Sequence, residues 1–103
     1  MVEKVKISSI AQNEFEDSSE WYEEQSPGLG DYFAETIYSS LNSILQNPEL
    51  YNKRKANIRE FVVDKFPFII VYQFLKKENT VYILHIFHTS RNPKHKYKKG
   101  KVA

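Results

Sequence analysis

No cysteine occurs among the 103 residues, which excludes a disulfide framework and any thiolate metal site. Glycine is scarce: Gly28, Gly30 and Gly100 are the full set, so no glycine-rich loop exists to cradle a phosphate. No G-x-S-x-G elbow and no pair of catalytic carboxylates can be picked out. Long apolar runs are also missing. The N-terminal MVEKVKISS has no signal-peptide core. The longest apolar stretch, around Phe66 to Leu75, is too short to cross a bilayer as a helix. The expectation is a soluble protein of the reducing cytoplasm with no membrane partner.

What is present suits one domain with one core. Seven Phe, seven Tyr and one Trp supply large apolar surfaces. Charge is divided along the chain. Residues 1–52 hold ten acidic and two basic side chains, and residues 53–103 hold three acidic and thirteen basic ones. The halves therefore carry −8 and +10 within a net +2. A split of this kind points to two faces with different partners, the basic one suited to a polyanion or an acidic protein.

Residues 2–8 alternate apolar and polar side chains and predict a short strand. Ser9 followed by Gln12 fits a capping box, which opens a helix to about Glu24. Its stripe is Ala11, Phe15, Ser18 and Tyr22, and the remainder is acidic. Pro27, Gly28 and Gly30 break it. A second helix begins near Leu29 or Asp31, carries Phe33, Ile37, Leu41 and Ile44 at helical spacing, and stops at Asn47 before Pro48. The two helices should form an antiparallel hairpin. The polar, basic residues 51–57 read as a loop. Strands follow over 58–63, 67–75 and 81–87, the last two joined by a turn at 76–80. Phe33, Tyr38, Phe61, Phe68, Tyr72 and Phe74 read as core. Strands apolar on both parities need cover on both faces, and the helices can supply only one. Residues 1–97 form one domain in this reading, and 98–103 a basic tail.

Three segments, LNSILQNPEL, FIIVYQF and YILHIFHTSRNPK, resemble the RelE/ParE toxin superfamily in order and spacing. These are a second helix with an Asn-Pro stop, a strand closing on Tyr72, and a last strand running into His88 and Arg91. The resemblance covers about residues 2–97. It implies an α+β fold in the order β-α-α-β-β-β, with a mostly antiparallel four-stranded sheet on a helical hairpin. It implies the toxin of a bacterial type II toxin–antitoxin pair, wrapped and silenced by a cognate antitoxin, and the surplus apolar surface of the last two strands predicts that an antitoxin segment lies across sheet and hairpin. A homodimer and a toxin–antitoxin hetero-oligomer are both compatible with it. The target is DNA gyrase in the ParE-like branch, which is not enzymatic. In the RelE-like branch it is mRNA on the ribosome.

RNA cleavage of the RelE kind needs a base, an acid and cations, with no metal or other cofactor. Lys53, Arg54, Lys55, Arg59, Arg91, Lys94 and Lys96 are the candidate target-binding cations, and His88, Arg91 and Tyr97 the candidate catalytic groups if the protein is a nuclease. His88 either orients a phosphate beside Arg91 or caps the end of its strand. His85 reads as a buried, satisfied histidine within the strand. His85 and His88 are three apart, so they fall on opposite faces and cannot share a metal. RelE-like nucleases carry an Arg three residues before the Tyr of the third strand, where this chain has Ile69. That exchange favours a toxin that binds over one that cuts. A non-toxic relative that binds a partner or nucleic acid is the third reading.

Overall fold

The computed structural model describes residues 2–90. Its elements are β1 (Lys4–Ile7), α1 (Ser9–Gln25), α2 (Leu29–Gln46), β2 (Asn52–Lys55), β3 (Ile58–Val62), β4 (Phe68–Leu75), a 3-10 turn (Lys76–Glu78) and β5 (Thr80–His88). The strands form one sheet in the order β1-β5-β4-β3-β2. β1 runs parallel to β5, and the other pairs are antiparallel. The α+β class and the helical hairpin are as expected, but the sheet has five strands where four were expected. The fifth is β2, from the segment read as a loop. Its sequence NKRK is exposed at every position, so no apolar alternation marks it as a strand. Its charged side chains also discourage edge-to-edge pairing with another sheet.

The helix start differs by one residue from the expected cap. Ser8, not Ser9, is the cap: its hydroxyl accepts from the Ala11 N–H at 2.9 Å and donates to the Leu84 carbonyl at 2.9 Å. That second bond ties the first turn of α1 to β5. Gln12 does not reach back; its amide donates forward to Glu16. At the hairpin turn the Glu23 carboxylate accepts from the backbone N–H of Gly28 and of Gly30, each at 3.0 Å. These amides open α2 and have no partner within the helix, so the carboxylate caps them.

The expected stripes largely face the core. Ala11 and Ser18 of α1 are buried, as are Phe33, Ile37, Ser40 and Ile44 of α2. Leu41 packs at the flank. Tyr38, read as core, is 60 % exposed. It sits one position past Ile37, which turns it off the buried stripe, and its ring meets Phe15 at 5.7 Å between centroids. The helices cover one sheet face, made of Phe68, Ile70 and Tyr72 of β4 and Val81, Ile83 and Ile86 of β5.

Tyr72 locks the α2–β2 connection onto this face. Its ring is fully buried, and its hydroxyl donates to the Pro48 carbonyl at 2.8 Å. Burial pushes its pKa up to about 12, although the nearby Arg59 guanidinium pulls the other way. The native state thus holds the neutral phenol beyond the pH at which an unfolded tyrosine ionises. Stability from this residue is intact below about pH 10 and is lost as pH rises toward 12. Replacing Tyr72 with Phe should cost about 1 kcal/mol at neutral pH, because the Pro48 carbonyl loses its donor. Between pH 10 and 12 the gap to wild type should close. Urea titrations of both proteins across that range check it.

Candidate target-binding site

The strands pair so that one set of side chains lies on the sheet face turned away from the helices. One row across it is Asn52, Glu60, Val71 and His85, and a second is Lys55, Ile58, Gln73 and Tyr82. A third row is apolar: Val62, Ile69 and Phe87. Between β2 and the middle of the sheet lies a groove of about 490 Å³, with Ile58 and Val71 as its floor, Glu60 and His85 on its walls and Lys53, Arg54 and Lys55 along its rim. Arg54 reaches Glu60 at 3.7 Å.

The groove's His85 wall is held in place from α1. β1 ends at Ile7, so the outer edge of β5 loses its strand neighbour after Ile83. Glu14 takes over: its carboxylate accepts the Ile86 N–H at 2.8 Å and contacts His85 Nδ1 at 3.4 Å. A bulge at Leu84, left unpaired between Ile83 and His85, sets His85 opposite Val71 on the groove side. His85 is thus partnered, as expected, by a carboxylate that no sequence neighbour could announce, but it is half-buried where a buried histidine was expected, because it faces the groove. Replacing Glu14 with Ala should cost about 2 kcal/mol, since the Ile86 amide loses its acceptor. Gln keeps an acceptor there and should restore most of the loss. Urea unfolding of the two variants checks it.

The other candidates are dispersed. Arg59 lies on the helix side, paired with Tyr72, and its guanidinium donates to the Glu49 and Tyr51 carbonyls at 3.0 Å each. It holds the connection before β2 and stands apart from the groove. His88 ends β5 on the helix side, edge-on to Phe68 at 5.0 Å, and its Nδ1 accepts from the Ser90 N–H. Arg91, Lys94, Lys96 and Tyr97 lie outside the described residues. Ile69 is half-buried between Val62 and Phe87, so the row where a nuclease Arg would stand is apolar throughout. No cluster of three metal-binding side chains occurs among the described residues, and no helix there is long and apolar enough to cross a membrane.

A helical hairpin on one face of a small mixed sheet is the fold that this chain shares with solved chains of the RelE/ParE toxin class. Residues 5–93 match the ParE toxin of the type II toxin–antitoxin system parDE, and the chain belongs to that family. No curated protein sequence matches it. Among solved structures, a chain of the chromosomal ParDE system from P. aeruginosa is similar with a TM-score of 0.71 at 13 % identity, over 84 % of this chain and 96 % of that one. The isolated E. coli RelE toxin gives 0.63 at 15 % identity, over 96 % and 97 %. A chain of the intact E. coli RelBE toxin–antitoxin complex gives 0.64 at 14 % identity, over 84 % and 96 %.

Proposed function

We propose that the protein is a growth-arresting toxin that acts by binding DNA gyrase and is silenced by a cognate antitoxin laid across the sheet and the helical hairpin. Membership of the ParE family supports this, as does the kinship of fold with ParDE and RelBE chains. The observation that carries the choice of target is Ile69. It replaces the arginine that RelE-like nucleases use, and its row neighbours Val62 and Phe87 bring no cation in compensation. An apolar row cannot hold the charge of a pentacoordinate phosphate. Val62 is 66 % exposed, which leaves apolar surface on this face for a partner segment.

Induced expression in bacteria should arrest growth, and co-expression of the cognate antitoxin should relieve it. Purified protein should block supercoiling by gyrase in vitro and leave mRNA intact on translating ribosomes. Truncated mRNA with normal supercoiling would transfer the assignment to the RelE-like reading, with His88, Arg91 and Tyr97 as its catalytic groups. Normal growth with abundant folded protein would remove the toxin reading and leave the non-toxic binding module.

A further inference from the structure

The two edges of the sheet are built differently. At one edge β2 has no apolar side chain, and its pairing register shifts between Lys53 and Lys55. Charge and irregularity of this kind blunt an edge against a further strand. At the other edge β1 keeps a continuous parallel register with β5 from Lys4 to Ile7. The Lys4 N–H donates to the Asn79 carbonyl at 3.3 Å and the Ser8 N–H to the Ile83 carbonyl at 2.9 Å, both on the β5 side. Backbone groups alternate in direction along a strand, so the N–H and C=O of Val5 and Ile7 point away from the sheet. Among the described residues no strand lies beyond them.

The side chains of this edge are sorted by face. Val5 and Ile7 pair with Val81 and Ile83 and so lie on the helix side, yet they are 42 and 43 % exposed. Ile10, also exposed, follows in the first turn of α1. It lies one turn before Glu14, which reaches the β5 edge, so it borders the same edge. On the groove side Lys4 and Lys6 pair with Thr80 and Tyr82, and neither lysine has a carboxylate partner among the described residues. Lys6 rests over the Tyr82 ring, 5.8 Å from its centroid. Unpaired backbone, an aliphatic row on one face and a cationic row on the other thus occur together.

From this arrangement we infer that the β1 edge takes an extended segment of a partner protein in which aliphatic and acidic residues alternate. The segment adds a strand to the sheet, its backbone bonding to Val5 and Ile7. Because side chains alternate between faces, its aliphatic residues meet Val5, Ile7 and Ile10 while its carboxylates meet Lys4 and Lys6. The lysines also exclude a second copy of this chain. Antiparallel pairing of β1 with itself puts lysine opposite lysine when both helix layers share a face, and lysine opposite an aliphatic residue when they do not. A nucleic acid has no counterpart to the aliphatic row or to the strand backbone. The inference goes beyond the gyrase and antitoxin readings and depends on neither.

Fluorescence anisotropy on the full chain tests it with labelled peptides: the alternating Glu-Val-Glu-Ile-Glu-Thr, the block peptide Glu-Glu-Glu-Val-Ile-Thr and the basic Lys-Val-Lys-Ile-Lys-Thr. The first two share composition and charge, so basic residues elsewhere in the chain attract both alike. The alternating acidic peptide should bind about tenfold more tightly than the block peptide, and the basic one should not bind. Lys4 and Lys6 are exposed, so the variant K4E/K6E should keep its melting temperature and now prefer the basic peptide. Methylating alternate amides of the acidic peptide should abolish binding in one phase and spare it in the other, because only one row of amides faces β1. Equal affinity for the alternating and block peptides, or no binding of either, would overturn the inference. So would equal binding of the two methylated forms, or a K4E/K6E variant that still prefers the acidic peptide. A wild-type dimer in sedimentation equilibrium that the alternating peptide dissociates would overturn it in favour of a second copy.

Discussion

Replacing Phe33 with Ala should cost about 3 to 5 kcal/mol, the range for removing a buried aromatic ring. Phe33 is fully buried and stands at the junction of both helices and the sheet. Its ring centroid lies 4.9 Å from that of Phe68, 5.1 Å from Tyr22, 5.2 Å from Phe66 and 6.0 Å from Phe15. Four aromatic neighbours are too stiff to collapse into the space it leaves, so the cavity persists. A domain of this size has about 5 to 15 kcal/mol in total, so the variant should sit near its unfolding midpoint at modest denaturant. Phe33 to Leu should retain most of the stability, because much of the volume remains. The urea midpoint, read by circular dichroism with an unchanged slope, separates the two outcomes. A loss below about 1 kcal/mol for the Ala variant would mean that the aromatic cluster is not the keystone of the core.

The second large effect is expected from one methyl group. A Cβ built on Gly30 would lie 2.7 Å from the Ser19 carbonyl oxygen and 2.9 Å from Glu23 Oε1. The first of these is backbone in the facing helix and cannot rotate away. The second belongs to the carboxylate that caps the start of α2. Gly30 to Ala should therefore push α1 and α2 apart and dislodge the cap together, for a loss of about 2 to 3 kcal/mol. Gly28 is the internal control. Its φ of 90° disfavours any side chain, but nothing lies within 4 Å of its would-be Cβ. Gly28 to Ala should cost only about 1 kcal/mol. Thermal melts of the two variants rank the effects, and an inverted order would show that conformational strain outweighs helix contact in this hairpin.

Much of this architecture could be read in advance because burial imprints a period on the chain. α2 repeats its apolar residues every turn, β4 and β5 are continuous apolar runs, and Asn47-Pro48 ends a helix by local sterics alone. β2 escaped notice because an edge strand solvated on both faces carries no period. Its strand character comes from backbone bonds to β3, which no side chain records. Tyr38 misled because an aromatic beside a buried stripe can bury or expose equally well, depending on where the neighbouring helix passes.

The candidate site was less legible than the fold. Lys53, Arg54 and Lys55 stood out as a basic run, but which face each serves depends on a bulge in pairing register. Arg59 looked like one more cation of that run, yet the strand's alternation turns it inward to two loop carbonyls. Glu14 and His85 meet across 71 positions, and Ile69 acquires meaning from Val62 and Phe87, which come from other strands. Composition and periodicity settled the α+β class and its helical hairpin, since these follow from interactions between near neighbours. Which charges converge, which are spent on holding loops and which remain free to meet a partner was settled when distant strands came into register, because electrostatic and hydrogen-bonding partners are chosen by distance in space.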